Sequence, residues 1–134
     1  SQAAARSAVN LARESSARIV AFYAMPEVKI PHYYEGVPAE SGLTEKFARL
    51  AENEAKEIVG FVESLCREKG VACSSMIRSE QPPHEAIIAA ADACGCDLIF
   101  MASHGRRGLS GILIGSETHK VLTHSKIPVL VYRQ

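Results

Sequence analysis

Four short apolar runs, each following a segment of helical spacing, constrain the fold of this chain more than any other feature. In chain order the runs are ARIVAFYAM, VACSSMIR, DLIFMAS and PVLVY. Their β-branched and aromatic residues are typical of strands, whereas the intervening segments carry apolar residues at helical intervals. Strands that alternate with helices pair in parallel through right-handed crossovers and carry helices on both faces. The alternation therefore predicts a single α/β domain over residues 1–134, a three-layer α/β/α sandwich with a mostly parallel sheet.

Start and stop signals in the sequence place the predicted elements. Helices are expected over residues 2–15, 43–69, 84–94 and 116–125, and strands over residues 17–25, 71–78, 97–103 and 128–132. Ser1 can cap the first helix, and Gly70 is typical of the position just after a helix. The apolar stripe of the first helix consists of Ala4, Ala8, Leu11 and Ala12. Because the first strand is nearly all apolar, we expect it to be buried on both faces.

The charge balance and the apolar stretches exclude several classes of partner. The 15 basic and 15 acidic residues cancel, so neither nucleic acid nor an anionic membrane surface is expected. The most apolar stretch, residues 86–102, contains two aspartates and is too short to span a bilayer. The four cysteines lack the spacing of a disulfide framework or a zinc site. They predict reduced thiols in a cytoplasmic protein.

A glycine-rich stretch is the main candidate for a functional site. Residues 101–120, MASHGRRGLSGILIGSETHK, hold four of the 9 glycines and follow the end of a predicted strand, where doubly wound folds bind ligands. Glycine backbone can approach a phosphate closely, and the helix beginning at Ser116 offers unpaired N–H groups and a hydroxyl. Arg106 would add positive charge. The spacing fits neither a P-loop nor the dinucleotide fingerprint, so the residues alone leave open a phosphate cradle or a flexible crossover.

The spacing Ala102-x2-Gly105-x9-Gly115-Ser116 resembles the Gly-x2-Gly-x9-Gly-Ser/Thr motif of nucleotide-binding universal stress proteins. The similarity continues through SETHKVLTHSKIPVLVYR, and the order of elements matches over essentially the whole chain. The chain is therefore identified as a member of that family. Membership implies a Rossmann-like fold of the adenine nucleotide α-hydrolase type with five parallel strands. It also implies ATP or another adenine nucleotide, bound with Mg²⁺, and a homodimer joined through the last strand at Val129, Leu130 and Val131.

The resemblance also implies which residues form the site. Met101 and Ala102 would lie near the ribose and phosphates, and Ala24 would line the adenine pocket. Gly105 and Gly115 would pass their backbone beside the phosphates. The complete set of expected nucleotide-binding residues is Ala24, Met101, Ala102, Ser103, His104, Gly105, Arg106, Gly115, Ser116, Glu117 and Thr118. Ser116 and the next two residues would donate hydrogen bonds, while His104 could contact a phosphate, act as a general base or lie at the rim without a chemical role.

Three features depart from the family. Gln81 stands roughly where the family often has glycine in a Gly-x-Pro turn before the third helix. Ala102 replaces the first glycine of the motif, and its methyl group is tolerated only if φ is negative. The family's first strand, which ends in Asp-Gly-Ser, is not found in residues 1–134, and we expect it to precede Ser1. Without that strand a gap of one strand spacing, about 4.8 Å, would open in the sheet.

These observations favour one function and leave two alternatives open. The favoured function is a regulatory stress-response protein that binds ATP and acts on an unidentified protein partner. Ala102 supports the first alternative, a dimeric interaction module of the same fold that binds no nucleotide. A slow nucleotide hydrolase is less favoured, because the sequence offers no Ser-His-Asp, Cys-His or paired-carboxylate arrangement. No catalytic residue and no metal ligand are predicted.

Overall fold

The structure is a computed structural model that describes residues 1–27, 36, 38, 41–79, 82–104 and 114–133. Four helices and four strands alternate among these residues, as the sequence predicts. The helices are α1 (Gln2–Glu14), α2 (Leu43–Lys69), α3 (Pro83–Ala93) and α4 (Ser116–His124). The strands are β1 (Ile19–Ala24), β2 (Cys73–Arg78), β3 (Ile99–Ala102) and β4 (Val129–Tyr132). Each observed element falls at the expected place in the chain, and the strands are shorter than predicted by one to three residues at their ends.

Two of the predicted helix-end signals, Ser1 and Gly70, are confirmed. The Ser1 hydroxyl accepts a hydrogen bond from the Ala4 N–H at 3.4 Å and caps α1. Gly70 follows α2 with a left-handed φ of 69°, a conformation that glycine adopts without strain. The stripe predicted for α1 is partly wrong, because the buried residues are Ala4, Val9 and Ala12, whereas Leu11 is 37% exposed.

The strands pair in parallel, but they form two pairs. β1 runs beside β2 from Ile19 opposite Cys73 to Ala24 opposite Arg78. β3 runs beside β4 from Ile99 opposite Val129 to Ala102 opposite Tyr132. Within the described part of the chain no ladder joins the two pairs, so the four strands form two separate two-stranded parallel sheets.

The core is divided in the same way as the strands. One cluster packs α1 and α2 beside the first strand pair, and it contains Val9, Ala12, Leu65, Cys66 and Val71. A second cluster joins α3, β3 and α4 through Ala91, Ile99 and Val121. β1 contacts both α2 and α3, but only Ala21 is buried, and the other residues of the strand are half-buried. The expectation that this strand is buried on both faces is therefore wrong, because β1 has a strand neighbour on one side only in the described structure.

The longest helix, α2, is amphipathic. Its buried residues Ala55, Val59, Leu65 and Cys66 face the core, whereas the charged residues from 52 to 57 are exposed. In the part of the chain that the structure describes, no helix combines the length and apolar character needed to cross a membrane.

Candidate functional site

The two ends of the glycine-rich segment are joined by a hydrogen bond beside the end of β3. The Ser103 N–H donates to the Tyr132 carbonyl at 2.8 Å and so continues the pairing of β3 with β4. The Ser103 carbonyl accepts a hydrogen bond from the Gly115 N–H at 2.6 Å. The chain therefore leaves β3 and enters α4 at one fixed point, which we call the loop base (Ser103 and Gly115).

The N-terminus of α4 begins at the loop base and lacks a side-chain cap. Gly115 is the N-cap residue, and its carbonyl accepts the first helical hydrogen bond, from the His119 N–H at 2.9 Å. The N–H groups of Ser116, Glu117 and Thr118 meet no backbone or side-chain acceptor among the described residues. Unpaired N–H groups at a helix start carry the positive end of the helix dipole and form a natural site for an anion.

The backbone at Gly115 and Ala102 is unstrained. Gly115 has φ −66° and ψ 154°, a conformation open to any residue, so glycine here provides the absence of a side chain rather than a special φ. Ala102 lies in extended β3, and Ser16 is the single non-glycine residue of the described ranges with a positive φ. The condition under which alanine can replace the first glycine of the family motif is therefore met.

The side chains around the loop base hold the backbone in place. The buried Thr118 hydroxyl donates to the Ala102 carbonyl at 3.1 Å and ties the first turn of α4 to β3. The Met101 side chain packs against the core cluster of Ile99 and Val121. Ser103 is buried, and its Oγ lies 3.1 Å from the His104 Nδ1.

Glu117 is the most highly connected side chain of the site. Its Oε2 accepts hydrogen bonds from the His84 N–H at 3.1 Å and from the His84 Nδ1 at 3.2 Å. Its Oε1 accepts from the Lys120 Nζ at 2.8 Å. Burial alone would raise the pKa of this carboxyl, but the hydrogen bonds from Lys120 and His84 outweigh it and lower the pKa. The carboxylate thus remains charged while it joins α4 to the start of α3.

Most of the predicted site residues come together, and the structure adds two. The residues gathered around the loop base are Met101, Ala102, Ser103, His104, Gly115, Ser116, Glu117 and Thr118. Ala24 ends β1 in the other strand pair and takes no part in this hydrogen-bonded group. Gly105 and Arg106 lie outside the described residues. His84 and Lys120 were not predicted, although the spacing of Glu117 and Lys120 is a recognisable helical ion pair.

A shallow cavity of about 330 Å³ has His84 in its lining. It is lined by His84, Glu85, Ile88, Ala89, Asp92 and His124. The rings of His84 and His124 stand with their centroids 5.6 Å apart. Within the described ranges no three His, Cys, Asp or Glu residues are placed to hold a metal ion.

Parallel strands, alternating helices and a site between a strand end and a helix start define the class of doubly wound α/β proteins. The sequence profile of the universal stress protein family matches residues 1–133, and the chain belongs to this family. Universal stress protein MJ0531 of Methanocaldococcus jannaschii is 32% identical over 131 residues, which cover 98% of this chain and 74% of the relative.

Solved structures of the family share the fold. Universal stress protein UspA from Lactobacillus plantarum is 25% identical and superimposes with a TM-score of 0.69, covering 98% of this chain and 88% of its own. The Archaeoglobus fulgidus universal stress protein in complex with dAMP has a TM-score of 0.64 at 17% identity, covering 97% of this chain and 85% of its own. A universal stress protein in complex with cAMP has a TM-score of 0.63 at 21% identity, covering 98% of this chain and 87% of its own.

Proposed function

We propose that this protein binds ATP, or another adenine nucleotide, with its phosphates at the loop base and the start of α4. The observation that carries the proposal is the Gly115 to Ser103 hydrogen bond, which fixes the start of α4 while its N–H groups meet no acceptor in the described structure. The complexes of related folds with dAMP and cAMP support an adenine nucleotide as the ligand class.

The residues present fit such a ligand. Phosphate oxygens would accept hydrogen bonds from the N–H groups of Ser116, Glu117 and Thr118, and the exposed Ser116 hydroxyl adds a donor. The Ala102 backbone would lie next to the ribose and phosphates, because Thr118 anchors its carbonyl on the side of α4. A magnesium ion would take its ligands from phosphates and water, as this ion commonly does.

In this proposal the protein is cytoplasmic, and nucleotide binding regulates it without hydrolysis of the nucleotide being its function. Occupancy of the site would order the surface around α4, and an unidentified protein partner would read that surface in a stress response. The four cysteines are free thiols in the structure, which suits a reducing compartment.

We further propose a homodimer through β4. This strand pairs with β3 on one side, and Leu130 in its centre is 37% exposed, between the half-buried Val129 and Val131. An exposed apolar edge strand is stabilised when a second copy covers it. Analytical ultracentrifugation should show a dimer that the substitution Leu130→Lys separates, whereas Leu122→Lys, at a similarly exposed leucine on α4, should leave it intact.

Calorimetric titration with Mg–ATP tests nucleotide binding. We expect micromolar affinity for the unaltered protein and loss of binding in Gly115→Val, because the valine fits the backbone but occupies the phosphate approach. The matched control is Gly60→Val on α2, where an added Cβ meets no atom within 4 Å. Absence of binding to the unaltered protein would contradict the proposal and favour an interaction module without nucleotide.

A further inference from the structure

Helix α3 begins without a cap of its own. Its N-cap residue is Pro82, which has no side-chain acceptor, and Pro83 has no N–H. The N–H groups of Glu85 and Ala86 both reach the Pro82 carbonyl, at 3.1 and 3.3 Å. The His84 N–H remains, and its acceptor is the Glu117 carboxylate from a different helix.

The two carboxylate oxygens of Glu117 accept hydrogen bonds from residues on two different helices. Oε2 receives both the N–H and the ring nitrogen of His84 on α3, and Oε1 receives Lys120 one turn further along α4. This carboxylate therefore caps α3 from outside and is held in its rotamer from within α4. Because Glu117 directly follows Ser116, the contact also fixes the direction of the first turn of α4.

We infer that Glu117 is a positioning residue for the phosphate-binding turn, and that it acts through α3. The inference rests on the proposed nucleotide function. A free carboxylate beside a phosphate site would repel the ligand, and the ion pair with Lys120 offsets part of this charge. With α3 as the anchor, the N–H groups of residues 116–118 keep one orientation before the ligand arrives, which lowers the ordering cost of binding.

Two substitutions of Glu117 distinguish a positioning role of this side chain from an effect of its charge. Glu117→Gln removes the charge but retains an acceptor for the His84 N–H, whereas Glu117→Ala removes both. We expect the glutamine variant to bind Mg–ATP within about twofold of the unaltered protein and the alanine variant about fivefold more weakly, equivalent to about 1 kcal/mol. Adenosine, which has no phosphates, should bind the two variants equally. Glu85→Ala, which alters an exposed acid beside His84, is the matched control and should change nothing.

Amide hydrogen exchange gives a readout that does not depend on nucleotide. The His84 N–H should be protected in the unaltered protein and in Glu117→Gln, and should exchange faster in Glu117→Ala. If both Glu117 variants bind Mg–ATP more tightly, charge rather than positioning governs this residue and the inference is wrong. If the unaltered protein binds no Mg–ATP, the proposed function fails and the inference fails with it. If Mg–ATP binds equally to all variants, only the inference fails.

Discussion

The hydroxyl of Thr118 donates a hydrogen bond to the carbonyl of Ala102 at 3.1 Å, joining the first turn of α4 to the last residue of β3. Thr118 is 3% exposed, so its hydroxyl has little access to water, whereas Ala102 is half-buried. The bond lies directly beneath the proposed phosphate site and holds the strand end and the helix start together.

Thr118→Val keeps the shape of the side chain and removes the donor. Because the half-buried Ala102 carbonyl loses its partner, we expect the free energy of unfolding to fall by about 0.5–1.5 kcal/mol. Denaturant unfolding measures this difference, and Thr118→Ser, which restores the hydroxyl, should recover most of it. A loss in Thr118→Ser with none in Thr118→Val would show that packing of the methyl group, rather than the hydrogen bond, makes the contribution.

The lowered pKa of Glu117 predicts how the stability of the folded protein changes with pH. Since the folded pKa lies below the ordinary value of 4.5, the unfolded chain binds this proton more readily than the folded chain. The stabilisation is fully present above the unfolded pKa and is lost as the pH falls through the folded pKa. Solvent screening keeps the effect small, because the side chain is 37% exposed.

Thermal unfolding of the unaltered protein and Glu117→Gln from neutral pH to about pH 2 tests this effect. The difference between the two proteins should be largest above about pH 5 and should shrink towards the acidic end. A difference that grows as the pH falls would contradict the assigned hydrogen bonds.

Substitution by alanine should change the stability of the protein in opposite directions at two glycines, one inside α2 and one directly after it. Gly60 lies inside the helix, and an added Cβ meets no atom within 4 Å, so Gly60→Ala should stabilise the protein by roughly 0.5–1 kcal/mol. Gly70 has equal space but a φ of +69°, so Gly70→Ala should destabilise it by about 1 kcal/mol. Denaturant unfolding of the two variants measures both signs, and a stabilising Gly70→Ala would mean that the end of α2 is not in the left-handed conformation.

The Cys66 thiol should be unreactive in the folded protein. Burial first, and then the hydrogen bond and charge of the neighbouring Cys73, raise its pKa from 9.0 to about 12. The reactive thiolate fraction is then about a thousandfold lower, since each pKa unit is a factor of ten. Iodoacetamide at pH 8 followed by mass spectrometry should label the half-buried Cys94 well before Cys66, and denaturant should remove the difference. Fast labelling of Cys66 in the native state would contradict its burial.

Much of the fold could be predicted because its signals are local. Apolar spacing located all the helices and strands that the structure describes, and Ser1 and Gly70 marked helix ends through interactions with their own neighbours. Parallel pairing followed from the alternation of elements. The incomplete burial of β1 could not be predicted from its composition, because the burial of a strand depends on which other elements pack beside it.

The site was predictable where the family motif carries it and not where it depends on distant contacts. The motif located Gly115 and Ser116, and the structure shows the hydrogen bond that closes the loop base. Nothing local to Glu117 indicates that its partner is His84, because 33 residues separate the pair and only the fold brings them together. The Pro-Pro start of α3 is the one sequence signal for a cap supplied by another element.

The most direct test of phosphate binding at the start of α4 is a ¹H–¹⁵N NMR titration of the labelled protein with Mg–ATP. We expect the amide signals of Ser116, Glu117 and Thr118 to shift progressively and saturate together, because their N–H groups would donate to the phosphates. Those shifts should be absent in Gly115→Val. Saturable shifts confined to the cavity lined by His84, Asp92 and His124, with the amides at the start of α4 unmoved, would contradict this expectation.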